Sequence, residues 1–330
     1  MVLTQAHRSL VEKTRSVGTA KEAEPLSDGD CRYLLSVIAQ DLGILDKLPE
    51  LGEQPIPKFF AIDLKRRPNP PNWDFWELFE RLLAEDANAD TFFSCLGTLY
   101  KARLKYANIL NQQPLPTMDQ VGPRGLLQYG SLPASALTGL LLWRKWVFDI
   151  DNRAGQETGY LFEPIIAFSI GGTPVGSKKS PVRRTDNPSK GRQVDCIRDK
   201  RAYEFKVRVT IAASGQGRWS EELDFPVDCK SSNFTPVLVI LDPTPNPKMT
   251  ELSNAFTNAG GEVYIGDDAW KHLDDEAGPT MARFLEKYVR APITDLLSHV
   301  PEVLPEMSLR MTEDSITIAV GGDELRIDRS

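Results

Sequence analysis

Cysteine is scarce in this chain, and the spacing of its four cysteines excludes two kinds of stabilisation. Cys31, Cys95, Cys196 and Cys229 are scattered along 330 residues, with no CxxC pair among them. Such scattering argues against a zinc site and against a disulfide framework. The cysteine pattern therefore fits a protein of a reducing cytoplasm.

Long apolar runs are also absent. The N-terminus, MVLTQAHRSL, has no apolar stretch after its charges, so it lacks the pattern of a signal peptide. The most apolar stretch, residues 137–150, contains Arg144 and Lys145 and is too short to cross a bilayer. We therefore expect no membrane segment and a cytoplasmic location.

An excess of positive charge is missing as well, because the net charge is −7 at pH 7. Nucleic-acid binding depends on the local field rather than on total charge, so this acidity excludes little. Residues 173–193 carry one acid, Asp186, and a group of basic side chains: Lys178, Lys179, Arg183, Arg184, Lys190 and Arg192. Taken alone, a mobile, solvated loop rich in proline, glycine and serine explains this segment as well as a DNA contact does.

Apolar periodicity divides the chain into three regions. Residues 1–150 are predicted to be mainly helical, with a loosely ordered polar arm over the first 30 residues and a largely buried helix over 133–150. Residues 151–300 form a core whose expected elements are, in order, helix 155–170, strands 194–197 and 203–211, helix 219–229, strand 236–241, helix 248–259 and strand 262–265. Residues 301–330 alternate as short strands do, with a turn at Gly321 and Gly322. This order predicts an α/β fold with a mixed β-sheet core flanked by helices.

Acidic and basic side chains with phosphodiesterase chemistry are concentrated in residues 191–210, GRQVDCIRDKRAYEFKVRVT. Glu204 and Lys206 are two apart in a strand, so they leave the same face. A hairpin around residues 198–201 would pair Ile197 with Ala202 and set Asp195 opposite Glu204, with Cβ atoms roughly 4.5–5.5 Å apart. Two facing carboxylates repel each other, and Mg²⁺, which prefers oxygen ligands, removes that conflict.

These three side chains are the minimum for phosphodiester hydrolysis. A divalent ion activates a water, polarises the scissile phosphate and stabilises the leaving oxygen. Lys206 can stabilise the developing negative charge and hold or deprotonate the attacking water. The alternative for Glu204 and Lys206 is a surface ion pair on an edge strand, which Asp195 and the preceding basic loop argue against.

Acid-x-Lys alone is a weak motif, and this chain has it three times. Asp63-Leu64-Lys65 could also lie in a strand, but prolines separate it from its upstream acid, Glu53. Asp228-Cys229-Lys230 lies in a predicted helix, where side chains two apart diverge. Context therefore favours Asp195, Glu204 and Lys206, with the Asp63 motif as the alternative.

With these residues the chain resembles a PD-(D/E)XK nuclease. Val194-Asp195 stands in the place of the family's Pro-Asp, and Glu204-Phe205-Lys206 matches the (D/E)XK element. In many members a glutamate on the helix before the first core strand supports the metal, and Glu163 occupies the matching place here. An exposed helix acid is the alternative for Glu163. Residues 155–266 are also similar to type II restriction endonucleases, in particular the ApaLI-like family, in the segments SGQGR (214–218), LDPTPNP (241–247) and YIG (264–266).

The resemblance implies a homodimer in a prokaryotic cell that cuts both strands of duplex DNA at a short palindromic site. It also implies Mg²⁺ bound by Asp195, Glu204 and Glu163. A twofold dimer suits a palindrome because each protomer meets the same half-site. Beyond the basic loop, the candidate DNA contacts follow the catalytic strand and can reach guanine or adenine edges: Arg208, Gln216 and Arg218. Which of all these residues contact bases stays open, since phosphate contacts are the commoner role.

Two other functions remain open on sequence grounds. One is a repair or junction-cleaving nuclease with the same fold, and the other is a non-catalytic DNA-binding protein with a nuclease-like fold. The helical first 150 residues favour restriction, since they offer material for dimerisation and for recognition of the site. An α/β nucleotide enzyme is disfavoured, because no strand leads into GxGxxG or GxxxxGK[ST].

Overall fold

Between residues 194 and 265 the helices and strands follow the order expected from the periodicity. The computed structural model describes residues 3–17, 23–207 and 216–329, and within them the side chains of all but 122–124, 153–158 and 216–218. Its α-helices are α1 (Gln5–Arg15), α2 (Asp28–Leu42), α3 (Phe75–Glu85), α4 (Ala89–Gln112), α5 (Gly122–Tyr129), α6 (Ala134–Ser169), α7 (Gln216–Ser231), α8 (Pro247–Asn258), α9 (Asp267–Leu285) and α10 (Ala291–Ser298). Its strands are β1 (Thr173–Val175), β2 (Val194–Arg198), β3 (Arg201–Lys206), β4 (Thr235–Ile240), β5 (Glu262–Ile265), β6 (Met307–Met311), β7 (Ser315–Val320) and β8 (Asp323–Asp328).

The N-terminal region is predominantly helical, as the sequence predicts. Ser27 caps α2 in a reciprocal pair with Asp30, and Asp74 caps α3 by accepting from two backbone amides. Gly43, with a φ of 72°, ends α2 in the left-handed conformation that glycine adopts without strain. The prolines between α2 and α3 leave only short 3₁₀ turns, as expected of a proline-rich connection.

The prediction of a loosely ordered arm over the first 30 residues is wrong, because α1 lies there. Thr4 caps this helix by accepting from the His7 amide, and Val11 is completely buried. The helix packs closely against α4, where a Cβ built on Gly97 would lie 2.5 Å from Thr14 Cγ2. Helix α1 is therefore stabilised by a capping box and one close contact with α4, and not by the apolar periodicity on which the prediction relied.

Residues 133–150 and 155–170, expected as two helices, form the single 36-residue helix α6. The first part of α6 is not largely buried: Leu137, Leu141 and Trp146 are buried, whereas Val147 and Phe148 are exposed. The domain division placed at residue 150 thus lies inside one helix, and it stays a prediction.

The central sheet is mixed and has the strand order β1-β2-β3-β4-β5. The β1–β2 and β2–β3 pairs are antiparallel, and the β3–β4 and β4–β5 pairs are parallel. This confirms the predicted α/β fold with a mixed sheet. Strand β1 was missed because three residues with a proline at the centre offer no alternation to detect.

Helices cover both faces of the sheet. On one face, α7 and α8 contribute Phe225, Cys229, Leu252 and Phe256 to a core that includes Leu238 of β4. The other face, with Tyr203, Phe205, Val237 and Val239, belongs to a larger core that also includes the end of α6, α9 and the N-terminal helices. Strand β4 is buried on both faces, which explains its uninterrupted apolar sequence.

The C-terminal strands β6, β7 and β8 form a separate antiparallel sheet, as predicted. Ile316 and Ile327 of this sheet pack against Trp146 of α6. Trp143 lies beside Trp146, so both tryptophans contribute to the core between helix and sheet. Within the described residues, no helix is long and apolar enough to cross a membrane.

Candidate active site

The β2–β3 hairpin has the register that the sequence predicts. Arg198 pairs with Arg201, Ile197 with Ala202 and Cys196 with Tyr203. One step further along the same register, Asp195 stands opposite Glu204. The turn is tight because Asp199 adopts a φ of 53°, a conformation that aspartate tolerates better than most residues.

Asp195 is an acid that the fold makes hard to ionise. Its Oδ2 accepts a hydrogen bond from the Phe205 amide at 3.0 Å. Burial raises the pKa of this carboxyl well above its ordinary value, and the charges of Glu204 and Glu163 raise it further. The Phe205 amide and Lys206 lower the pKa but do not offset these effects. Asp195 is therefore a carboxylate that a nearby cation would stabilise.

Lys206 shares its face of β3 with Glu204 and is held by two acids. Its Nζ donates to Glu204 Oε1 at 2.9 Å and lies 3.2 Å from Glu222 Oε2. Burial favours the neutral amine, but Glu204 and Glu222 more than offset that effect and raise the pKa of Lys206 above its ordinary value. The side chain therefore stays an ammonium group.

Glu163 of α6 contributes a third carboxylate to the same electrostatic cluster. Burial raises its pKa from 4.5 to about 7, Glu204 raises it too, and Lys206 acts in the opposite direction. One helical turn earlier, a Cβ built on Gly159 would lie 2.7 Å from Glu163 Oε1. The missing side chain at residue 159 therefore leaves room for the Glu163 carboxyl group.

The cluster has more acid than base. Lys206 is the cation that acts on Asp195 and Glu163, whereas Glu163, Asp195, Glu204 and Glu222 all carry carboxyl groups. Among the residues that the structure describes, no three His, Cys, Asp or Glu side chains lie together as a group that could hold a metal ion. Mg²⁺ does not need such a group, because it keeps several waters and binds through one or two carboxylates together with phosphate oxygens. Asp195 and Glu204 fit such a site by their chemistry.

Glu222 of α7 is the residue of this cluster that the sequence analysis missed. It lies in α7 at helical spacing from Phe225 and Cys229, which are buried against the sheet. Residues three and seven apart share a helix face. That spacing is the signal that could have placed Glu222 on the inward face of α7, beside the catalytic strand.

Neither of the other two acid-x-Lys motifs forms a comparable site. Asp63 lies in an exposed turn, where its Oδ1 accepts from the Lys65 amide at 3.0 Å. Lys65 Nζ pairs with Asp328 on β8, so its charge is used at the surface. Asp228 lies in α7, as the helical prediction required, and its carboxylate points away from Lys230 into a different ion pair.

That ion pair corrects one predicted DNA contact. Arg192 is only 6% exposed, and its Nε donates to Asp228 Oδ2 at 2.7 Å. Asp228 Oδ1 also accepts from the backbone amide of Thr185 at 2.7 Å and from its hydroxyl at 2.8 Å. The Arg192 charge is thus neutralised inside the protein, where it holds the basic loop instead of facing DNA.

The other predicted DNA contacts have different surroundings. Arg184 is partly buried and pairs with Glu221 at 3.0 Å. The exposed members of the loop are Lys178, Lys179, Arg183 and Lys190. Arg208 lies outside the described residues, and the side chains of Gln216 and Arg218, at the start of α7, do so as well.

The basic loop is packed against the protein. Val182 is fully buried in the core under α7, and Arg183 bridges to Gly191 across the loop. A Cβ built on Gly191 would lie 2.1 Å from the Ser177 carbonyl oxygen, so only glycine fits there. These contacts keep the exposed lysines on a fixed surface next to β2.

Comparison with known proteins assigns this arrangement to a family. A family model described as ApaLI-like restriction endonuclease matches residues 64–290. The chain is also 42% identical to the type II restriction enzyme ApaLI of Acetobacter pasteurianus, over 97% of this chain and 91% of that enzyme. No solved structure matches.

Proposed function

Because this chain belongs to the ApaLI-like restriction endonuclease family, we propose that it cuts both strands of duplex DNA at a short palindromic site in a Mg²⁺-dependent reaction. The membership makes it a type II, site-specific deoxyribonuclease. The observation that carries the proposed site is the hairpin register, which sets Asp195 opposite Glu204 on the face that also holds Lys206.

In this proposal Asp195 and Glu204 hold the metal ion, and Glu163 supports it. A metal ion held there would supply a water of lowered pKa and charge stabilisation at the scissile phosphate. The excess of acid around Lys206 supports this role, since carboxyl groups with raised pKa values gain most from a cation. Hydrogen bonding from the Phe205 amide fixes one oxygen of Asp195 and leaves the other free to act as a ligand.

Lys206 acts as a cation and as a hydrogen-bond donor. Glu204 and Glu222 keep Lys206 protonated in the metal-free protein, so of the roles expected from the sequence we retain charge stabilisation and holding of the attacking water. The ammonium group holds the attacking water and stabilises negative charge on the phosphate oxygens.

DNA reaches the site along the basic loop. Lys178, Lys179, Arg183 and Lys190 are exposed on a fixed surface immediately before β2, which suits contacts to phosphates. A homodimer would present two such surfaces and two catalytic hairpins, one for each strand of the palindrome. We place this enzyme in the cytoplasm of a prokaryotic cell, as the bacterial origin of its relative supports.

A cleavage assay tests the proposal. The protein is incubated with long duplex DNA in Mg²⁺ and, separately, in EDTA, and the products are separated on a gel. Discrete fragments in Mg²⁺ alone are the expected result, because each protomer pair cuts at one sequence. A smear would contradict site specificity, and intact DNA in Mg²⁺ would contradict the enzymatic role.

A further inference from the structure

Glu222 is an acid of the site that the PD-(D/E)XK motif does not account for. Its Oε2 lies 3.2 Å from Lys206 Nζ. That oxygen is buried and accepts no hydrogen bond among the residues that the structure describes, because its alignment with the ammonium group is poor. Glu222 Oε2 is therefore a charged acceptor that lies next to Lys206 Nζ without accepting a well-aligned hydrogen bond from it.

Lys206 Nζ does donate a hydrogen bond to Glu204 Oε1, at 2.9 Å. Glu204 is also one of the two acids that fit a metal ion. A divalent ion is the largest charge in any site that it occupies, so a carboxylate bound to it attracts a neighbouring ammonium group less strongly. Lysine has a flexible four-carbon stem and would then need a second acceptor to keep its position.

We propose that Glu222 is a positioning residue, which would keep Lys206 in place when Glu204 serves as a ligand of the metal ion. This inference rests on the proposed function, because it requires a cation at Asp195 and Glu204. Glu222 is suited to the role because it lies on a different element from Glu204. Helix α7 packs on β4 and α8 through Phe225 and Cys229, so the backbone of Glu222 is held by contacts other than those of the Glu204 side chain.

Mn²⁺ binding in the absence of DNA provides the test. Calorimetry compares the full-length protein with Glu222→Gln, Lys206→Met and the double variant. Glu222→Gln should weaken Mn²⁺ binding about tenfold, at the lower end of the usual loss for groups that orient metal ligands, because Lys206 then stays on Glu204. In the Lys206→Met background no ammonium competes, so the same change should alter the affinity by less than about twofold.

Three results would overturn the inference. An equal loss in both backgrounds would make Glu222 a metal ligand, and no loss in the wild-type background would leave it without a role. Absence of Mn²⁺ binding by the wild-type protein would overturn the proposed metal site itself, and the inference with it. The matched control is Asp224→Asn, which removes the same charge from an exposed position of α7 and should leave the affinity unchanged.

Kinetics distinguish positioning from a purely structural role. With Mg²⁺, Glu222→Gln should lower kcat about 10- to 100-fold and leave KM for DNA unchanged. Glu222→Asp keeps the charge and should recover part of that loss. A fall in thermal stability that accounts for the lost activity, with no recovery by Glu222→Asp, would contradict the proposal.

Discussion

Helix α7 takes part in two clusters of buried charge that differ in their balance. Asp228 faces one guanidinium group, that of Arg192, and its remaining oxygen is used by Thr185. Glu222, six residues earlier, belongs to a cluster in which several carboxyl groups surround one ammonium group. The first cluster is complete within the protein, whereas the second has an excess of negative charge.

The difference in balance separates a structural cluster from a functional one. A buried ion pair with every lone pair satisfied fixes a loop and requires no further ligand. Carboxylates that outnumber their cations repel each other, so binding a further cation among them is favourable. Burial alone does not distinguish the two clusters, because Arg192 is buried in the first and burial raises the pKa of Asp195 in the second.

Removing Lys206, the cation of the acidic cluster, should have the largest effect on DNA cleavage. Lys206→Ala should lower the cleavage rate by about 10³-fold or more, since a charge-stabilising donor is lost from a partly buried site. Binding to the specific site in EDTA should remain largely intact, as measured by gel shift. Lys65→Ala is the matched control; retained cleavage by Lys206→Ala together with loss in Lys65→Ala would move the site to Asp63 and Lys65.

Removing the acid of the balanced cluster should affect the fold instead. Asp228→Ala leaves the buried Arg192 without its partner and should lower the free energy of unfolding by about 3–5 kcal/mol. Urea unfolding in EDTA measures this loss. Asp224→Ala, exposed on the same helix, should change the free energy by less than about 0.5 kcal/mol. Equal effects of the two variants would contradict a structural role for the pair.

The pH dependence of stability should come from the acidic cluster. The folded-state pKa of Glu163 is raised from 4.5 to about 7, so the folded protein binds this proton more tightly than the unfolded chain does. The associated stabilisation is complete below about pH 4.5 and is lost as the pH rises through 7, a change on the order of 2 kcal/mol for a group that is partly exposed. Asp195 acts in the same direction.

Unfolding of the metal-free protein between pH 4.5 and 7.5 checks this dependence. Glu163→Gln should be less sensitive to pH than the wild type over that range, and Mg²⁺ should reduce the sensitivity of the wild type. If the free energy of unfolding of Glu163→Gln depended on pH as steeply as that of the wild type, Glu163 would not be the source of the pH dependence.

The exposed basic loop should give the smallest effects. Lys178→Ala and Lys179→Ala should each weaken specific and nonspecific DNA binding to a similar degree, and each should lower the salt slope of log K by about one. Fluorescence anisotropy at several salt concentrations measures both quantities. Arg310→Ala, an exposed change in the C-terminal sheet, is the control. A loss confined to the specific site would instead indicate a base contact.

The sequence was sufficient to predict the register of the β2–β3 hairpin, because that information is local. Alternation and the turn at Asp199 determine the register, and the register brings Asp195 opposite Glu204. Arg192 could not be distinguished from the exposed members of the basic loop, because its partner Asp228 is 36 residues away on another element. Glu222 was missed for the same reason, since its role depends on how α7 packs on β3.

The remaining errors in the fold also concern packing between distant elements. Helix α1 has few apolar residues, and its stability depends on a close approach to Gly97 of α4. Trp146 of α6 packs against the C-terminal sheet, some 170 residues later along the chain. Local propensity cannot supply either contact.

The hairpin that turns at Asp199 has a consequence for when, during synthesis of the chain, the site can first cleave DNA. Two-stranded hairpins close within roughly 1–10 μs, but facing like charges oppose closure and an isolated hairpin is marginal at best. The β2–β3 hairpin therefore needs β4, α6 and α7, and two of these three follow it along the chain. A ribosome-bound chain from which Lys206 has just emerged carries every proposed catalytic group but has not yet assembled the site. Cleavage competence should thus arrive late in synthesis, with the completed sheet rather than with the motif.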